Sequence, residues 1–78
     1  MKHTPGKWIK DRCFINDESG NEIARVTYHR SGYVQANALL IAAAPELLEA
    51  LELANEYASN PDMWLNKAYN AIAKAKGE

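Results

Sequence analysis

Apolar and polar residues alternate along the first third of the chain and then give way to helical spacing. From Trp8 to Asn16 (WIKDRCFIN), Ile9, Asp11, Cys13 and Ile15 fall on one side of an extended strand, and Trp8, Lys10, Arg12 and Phe14 on the other. From Glu22 to Arg30 (EIARVTYHR) the alternation resumes, with Ala24, Val26 and Tyr28 on one face and Ile23, Arg25, Thr27 and His29 on the other. The segment between them, Asp17-Glu18-Ser19-Gly20-Asn21, has the composition of a loop. Two alternating runs around a short glycine-containing loop predict an antiparallel β-hairpin over about residues 8–30. Its expected core face is Ile9, Cys13, Ile15, Val26 and Tyr28. Asp11 is the charged exception on that face and belongs at an edge.

After Ser31-Gly32-Tyr33 the period changes. The run Gln35–Leu51 (QANALLIAAAPELLEAL) contains seven consecutive apolar residues, Ala38 to Ala44, all good helix formers. A first helix is predicted over about residues 34–44, kinking or stopping at Pro45, which has no amide hydrogen to donate. Proline suits the first turn of a new helix, and Glu46 beside it suits the positive helix start, so a second helix follows over about residues 45–58. Glu49, Glu52 and Glu56 share one arc of it. Leu47, Ala50, Leu51, Ala54, Tyr57 and Ala58 fill another, bordered by Leu48 and Leu53. Asn60-Pro61-Asp62 reads as N-cap, first helical position and acidic first turn of a third helix over about residues 61–76. Trp64, Leu65, Ala68, Tyr69 and Ile72 lie on one expected inner side of it, Lys74 and Lys76 stand at its end, and Gly77 closes it. The expected fold is α+β, a single domain over residues 1–78, with an N-terminal antiparallel hairpin packed on two to three helices.

Size sharpens this picture. The chain has 78 residues, 47% hydrophobic and 24% charged, which is a globular composition. Ordering each residue costs about 1.5 kcal/mol, so burial and entropy nearly cancel in so short a chain. One cysteine, Cys13, cannot form an internal disulfide. A helix that is apolar all round must be covered all round. Self-association is therefore expected: a homo-oligomer, most simply a dimer, with Asn37, Leu40, Ile41, Leu47, Leu48 and Leu51 at or near the interface. Asn37 is the one polar residue between Ala36 and Ala44 and is expected to be buried, where an amide needs partners.

Net charge is −1, which gives no drive toward DNA or anionic membrane. Six Lys/Arg stand in residues 1–34, whereas residues 35–66 have five acids and no Lys or Arg. Acidic helices argue against a DNA-recognition helix. The longest apolar run is far short of the ~20 residues of a membrane span, and the N-terminal residues have no signal-peptide pattern. A lone cysteine suits a reducing cytoplasm.

The outer face of the predicted hairpin is the best candidate for binding chemistry. Lys10, Arg12 and Arg25 would project together, with His29 further along and Trp8 and Phe14 flanking them. Cations beside an aromatic ring match a phosphate and a base: charge-assisted hydrogen bonds to oxygens, and a flat stacking surface. The same pattern also describes a solvated strand face whose aromatics pack on a neighbouring copy. His3, His29 and Cys13 lack paired metal-ligand spacing, so no metal or cofactor is expected. Cys13 is expected inside as a small hydrophobe rather than as a nucleophile. Trp64 and Tyr69 read as core, and Glu49, Glu52 and Glu56 as a solvated face. No catalytic constellation is present, and the expectation is a protein that is not an enzyme.

Two motifs add a resemblance. His3-Thr4-Pro5-Gly6-Lys7-Trp8 and Asn37-Ala38-Leu39-Leu40-Ile41-Ala42-Ala43-Ala44-Pro45-Glu46-Leu47-Leu48-Glu49-Ala50-Leu51 resemble the hallmarks of a group of small proteins of tailed phages and prophages. Position 7 is often Pro in that group and is Lys here; position 39 is often Arg and is Leu here. The resemblance implies a phage origin, action in the cytoplasm of a host bacterium, and a counter-defence role by binding. The target would be a nucleotide-type immune signal, captured with Trp8, Lys10, Arg12, Arg25 and His29, or alternatively a host defence protein. A small structural or regulatory phage protein is the plainer alternative.

Overall fold

The computed structural model describes residues 2–27 and 32–78, and its fold is α+β. Three short strands, β1 (Ile9–Asp11), β2 (Phe14–Asn16) and β3 (Glu22–Arg25), form an antiparallel sheet in the order β1-β2-β3. Three α-helices follow: α1 (Val34–Ala42), α2 (Ala44–Glu56) and α3 (Leu65–Lys76). A single 3-10 turn at Pro61–Met63 precedes the last.

The first alternating run is two strands rather than one. Ile9 pairs with Asn16, Lys10 with Ile15 and Asp11 with Phe14, so Arg12 and Cys13 form a two-residue turn. Arg12 takes φ 60° to close it. Tight hairpin turns need positive φ and usually take it from Gly, Asn or Asp, and Arg12-Cys13 offers none of these. The turn also changes which residues share a face. Partners directly opposite in an antiparallel pair point the same way, so Lys10, Ile15 and Ala24 line one face and Asp11, Phe14 and Arg25 the other. The expected core face is therefore broken up. Ile15 is fully buried and Val26 packs beside it. Ile9, however, is 49% exposed and Cys13 is half-buried in the turn. Tyr28 lies outside the described residues. Asp11 is exposed on edge strand β1, as expected.

The loop after β2 is held by Asp17. Its carboxylate accepts the amide N–H groups of Ser19 at 3.0 Å and Asn21 at 2.8 Å, an Asx-type turn. These donors, Asn21 foremost, hold the Asp17 pKa below its ordinary value.

Helix α1 lies on β1 and β2, and α3 packs against both α1 and α2. Where sheet and helix meet, Ile15 touches Ala38 and Ala42, rimmed by Trp8, Ile23, Ala24, Val26 and Ile41. Among the described residues the buried core is Ile15, Ala38, Ala42, Ala43, Ala50 and Ala71, so every member but one is an alanine. Alanine lets helices approach closely but removes little apolar area from water per residue.

Ala43, with φ −87° and ψ −3°, separates α1 from α2, and the two axes are bent by 48°. Pro45 sits in the first turn of α2, as predicted. Among the described residues no single helix is long and apolar enough to cross a membrane. The third helix starts later than expected. Asn60 makes no side-chain capping bond; its carbonyl accepts the Met63 N–H at 3.1 Å, and the α-helix begins at Leu65. Gly77, with φ 78°, ends it as predicted. The exposed side of α3 carries Leu65, Tyr69 and Ile72, which were expected inside. The helix has neighbours on two sides, and the short side chains Ala68, Ala71 and Ala75 face inward there, leaving the larger residues outside.

Candidate binding cleft

The strand residues expected to gather into one cationic face are dispersed. Trp8 turns toward the core, and its Nε1–H donates to the Thr4 carbonyl at 3.0 Å. Lys10 is half-buried on the Ile15 side of the sheet. Arg12 is in the turn. Arg25, on the opposite side from Lys10, lies over the Phe14 ring with its guanidinium carbon 5.1 Å from the centroid, and it pairs with Glu22 at 3.1 Å. The cation–aromatic contact exists, therefore, but it joins two side chains of the sheet itself. His29 lies outside the described residues. Lys10 and Arg25 cannot grip one ligand from opposite faces of a sheet.

Charged side chains converge instead between α2 and α3. Glu46 and Glu49 stand one turn apart on α2, and Lys67, Asn70 and Lys74 stand on the facing side of α3. Lys67 Nζ is 2.6 Å from Glu49 Oε1, and Lys74 Nζ is 2.8 Å from Glu46 Oε1. Lys7 joins them from the N-terminal segment, and together they line a cleft of ≈ 450 Å³. Local sequence explains how Lys7 arrives there. Gly6 turns the chain at φ 83°, in contact with the Glu18 carboxylate, which accepts the Lys7 backbone N–H at 3.1 Å. A Cβ at position 6 would strike that carboxylate.

Two of the lining residues carry a group without a partner among the described residues. The Lys7 ammonium makes no ion pair among the described residues. The Oε2 atom of Glu46 is enclosed and has no hydrogen-bond partner among them. An enclosed acceptor without a donor is costly and needs a reason. The sequence does carry a signal for this cleft that the strand-based reading missed: Glu46/Glu49 at i, i+3 and Lys67/Asn70/Lys74 at i, i+3, i+7 are complementary stripes on successive helices.

The residues expected at an interface divide into two groups. Leu40, Leu48 and Leu51 are exposed, and Ile41 and Leu47 are half-buried. Asn37 is exposed, not buried. It lies on the outer side of α1, where it lines an open groove with Arg25, Val26, Thr27, Leu40 and Ile41. Its amide therefore reaches water and needs no partner in the protein. Among the described residues no three His, Cys, Asp or Glu side chains gather as a metal site.

The comparisons with known proteins agree with a phage origin. A family model for Salmonella phage P22 protein Y8K6 matches residues 1–78. No curated protein and no solved structure matches the chain. On that match across its length, the chain belongs to the Salmonella phage P22 protein Y8K6 family.

Proposed function

We propose that this phage protein is a non-enzymatic binding protein that captures a small anionic ligand of nucleotide type in the cleft between α2 and α3, in the service of counter-defence. The observation that carries this reading is a cation without an ion pair among the described residues, Lys7, standing in one cleft with Lys67, Lys74 and Asn70. A phosphate suits Lys7 and Lys67. Asn70 offers both a donor and an acceptor. The cleft volume of ≈ 450 Å³ falls within the range of small-molecule sites. Stoichiometric capture asks for no nucleophile or general base.

Calorimetry against a panel of cyclic dinucleotides and ADP-ribose-type nucleotides tests it. Micromolar or tighter binding to one of them is expected, lost in Lys7→Ala and Lys67→Ala and kept in Arg25→Ala. Silence across the panel, or binding abolished by Arg25→Ala alone, overturns it.

A specific observation favours a second reading, an inhibitor that covers a host defence protein. Leu65, Tyr69 and Ile72 are exposed at i, i+4 and i+7 along α3, the spacing of helix-in-groove anchors. This reading expects one host protein to co-purify with the wild type and to be lost with Tyr69→Glu.

A further inference from the structure

The chain exposes 5973 Å². A compact monomer of its 8.7 kDa mass exposes about 4,700 Å². Its radius of gyration is 13.7 Å, against about 11.5 Å for a compact domain of this length. The excess of about 1,200 Å² exceeds the roughly 800 Å² per partner that a standard stable interface covers. Part of it is apolar. Leu40, Ala44, Leu48 and Leu51 follow one another at spacings of four, four and three across the Ala43 bend. Leu40 is 54% exposed and Leu51 68% exposed. Helix α1 carries no charged residue, and its polar residues are Gln35 and Asn37, both exposed.

We infer that the seam Leu40–Ala44–Leu48–Leu51 is the contact surface for a second copy of this chain, in an isologous dimer. The whole-chain excess is of the size that one partner of a dimer buries, and the thin alanine core supplies the reason for one. An isologous contact uses the same patch twice, so its rim must be self-complementary in charge. It is: Lys2 and His3 line a groove with Leu48 and Glu52, which places cation and acid side by side at the edge of the seam. The α3 stripe is not part of this surface; Leu48 and Glu52 adjoin the Lys7 cleft through a groove that Lys7, Glu46, Glu49 and Lys67 also line, and the mass of the unliganded chain tests the dimer without reference to any ligand.

Sedimentation equilibrium of the full chain at micromolar concentration tests it, with wild type, Leu51→Glu, Leu48→Glu and Tyr69→Glu compared. Wild type and Tyr69→Glu are expected at twice the chain mass, and the two leucine variants at the mass of one chain with unchanged helical circular dichroism. If a glutamate variant loses helicity, Leu51→Asn takes its place with the same expected mass. A wild type of single-chain mass overturns the inference. So does a dimer that survives both leucine variants or is split by Tyr69→Glu.

Discussion

The ammonium of Lys74 stands 2.8 Å from Glu46 Oε1 and 3.5 Å from the Trp8 carbonyl oxygen. One side chain thereby ties α3 to α2 and to the segment leading into β1. Both partners of the ion pair are about two-thirds buried, and Glu46 also sits in the first turn of α2, where the helix dipole favours an anion.

Lys74→Ala is expected to cost about 1 kcal/mol, between the values for exposed and enclosed pairs. Lys67→Ala, whose pair with Glu49 is half exposed, is expected to cost less than about 0.5 kcal/mol. Urea unfolding at one fixed protein concentration gives the order. Equal losses would mean that the contact to Trp8 contributes nothing.

Ile15 is the only large side chain fully removed from solvent among the described residues. Cutting it back to Ile15→Ala leaves a hole at the junction of sheet and α1 and is expected to cost about 2–4 kcal/mol. The matching truncation on the exposed side of α3, Leu65→Ala, is expected to change stability by under about 0.5 kcal/mol. Differential scanning calorimetry at matched concentration separates the two.

Helix content, the Pro45 break, the Gly77 stop and the Asp17–Asn21 loop were all legible because each rests on a local rule about backbone hydrogen bonds or φ. The two-residue turn at Arg12-Cys13 was not, because its residues carry no turn signal. The tertiary gain of placing Ile15 over Ala38 and Ala42 overrides local preference there. That single turn moved Lys10 to the same face as Ile15 and away from Arg25, and with it dissolved the candidate cationic face. The exposed side of α3 was misread for a related reason. Leu65, Tyr69 and Ile72 look like a core stripe by size, whereas α3 is seated through its alanines. Asn37 was misplaced because polarity within an apolar run does not say which side of the run is covered.

Position 12 offers a direct check on that turn. A residue at φ 60° in the left-handed region costs about 1–2 kcal/mol unless it is Gly, Asn or Asp. Arg12→Asn is expected to raise stability by about 0.5–1 kcal/mol, and Arg12→Val to lower it by about 1–2 kcal/mol, since a β-branched residue tolerates positive φ least. Urea midpoints that ignore the substituent would show that β1 and β2 are not joined this way.

Asp17 sets a pH dependence. Its folded pKa lies below the ordinary 3.8, chiefly through the Asn21 backbone donor. The loop contacts are therefore fully present above that ordinary value and are lost as pH falls through the lower folded one. A carboxyl chemical-shift titration is expected to place the Asp17 midpoint below the ordinary 3.8, with the Asn21 amide shifting in step. An Asn21 amide that does not respond would remove the assigned cause.

The most direct measurement of the central claim, that one copy has too little core and completes it with a second, is the melting temperature as a function of protein concentration. Folding coupled to dimerisation makes the midpoint rise as concentration rises, and the shift is expected to vanish in Leu51→Glu. A melting temperature independent of concentration in the wild type, with the mass of a single chain throughout, would contradict it.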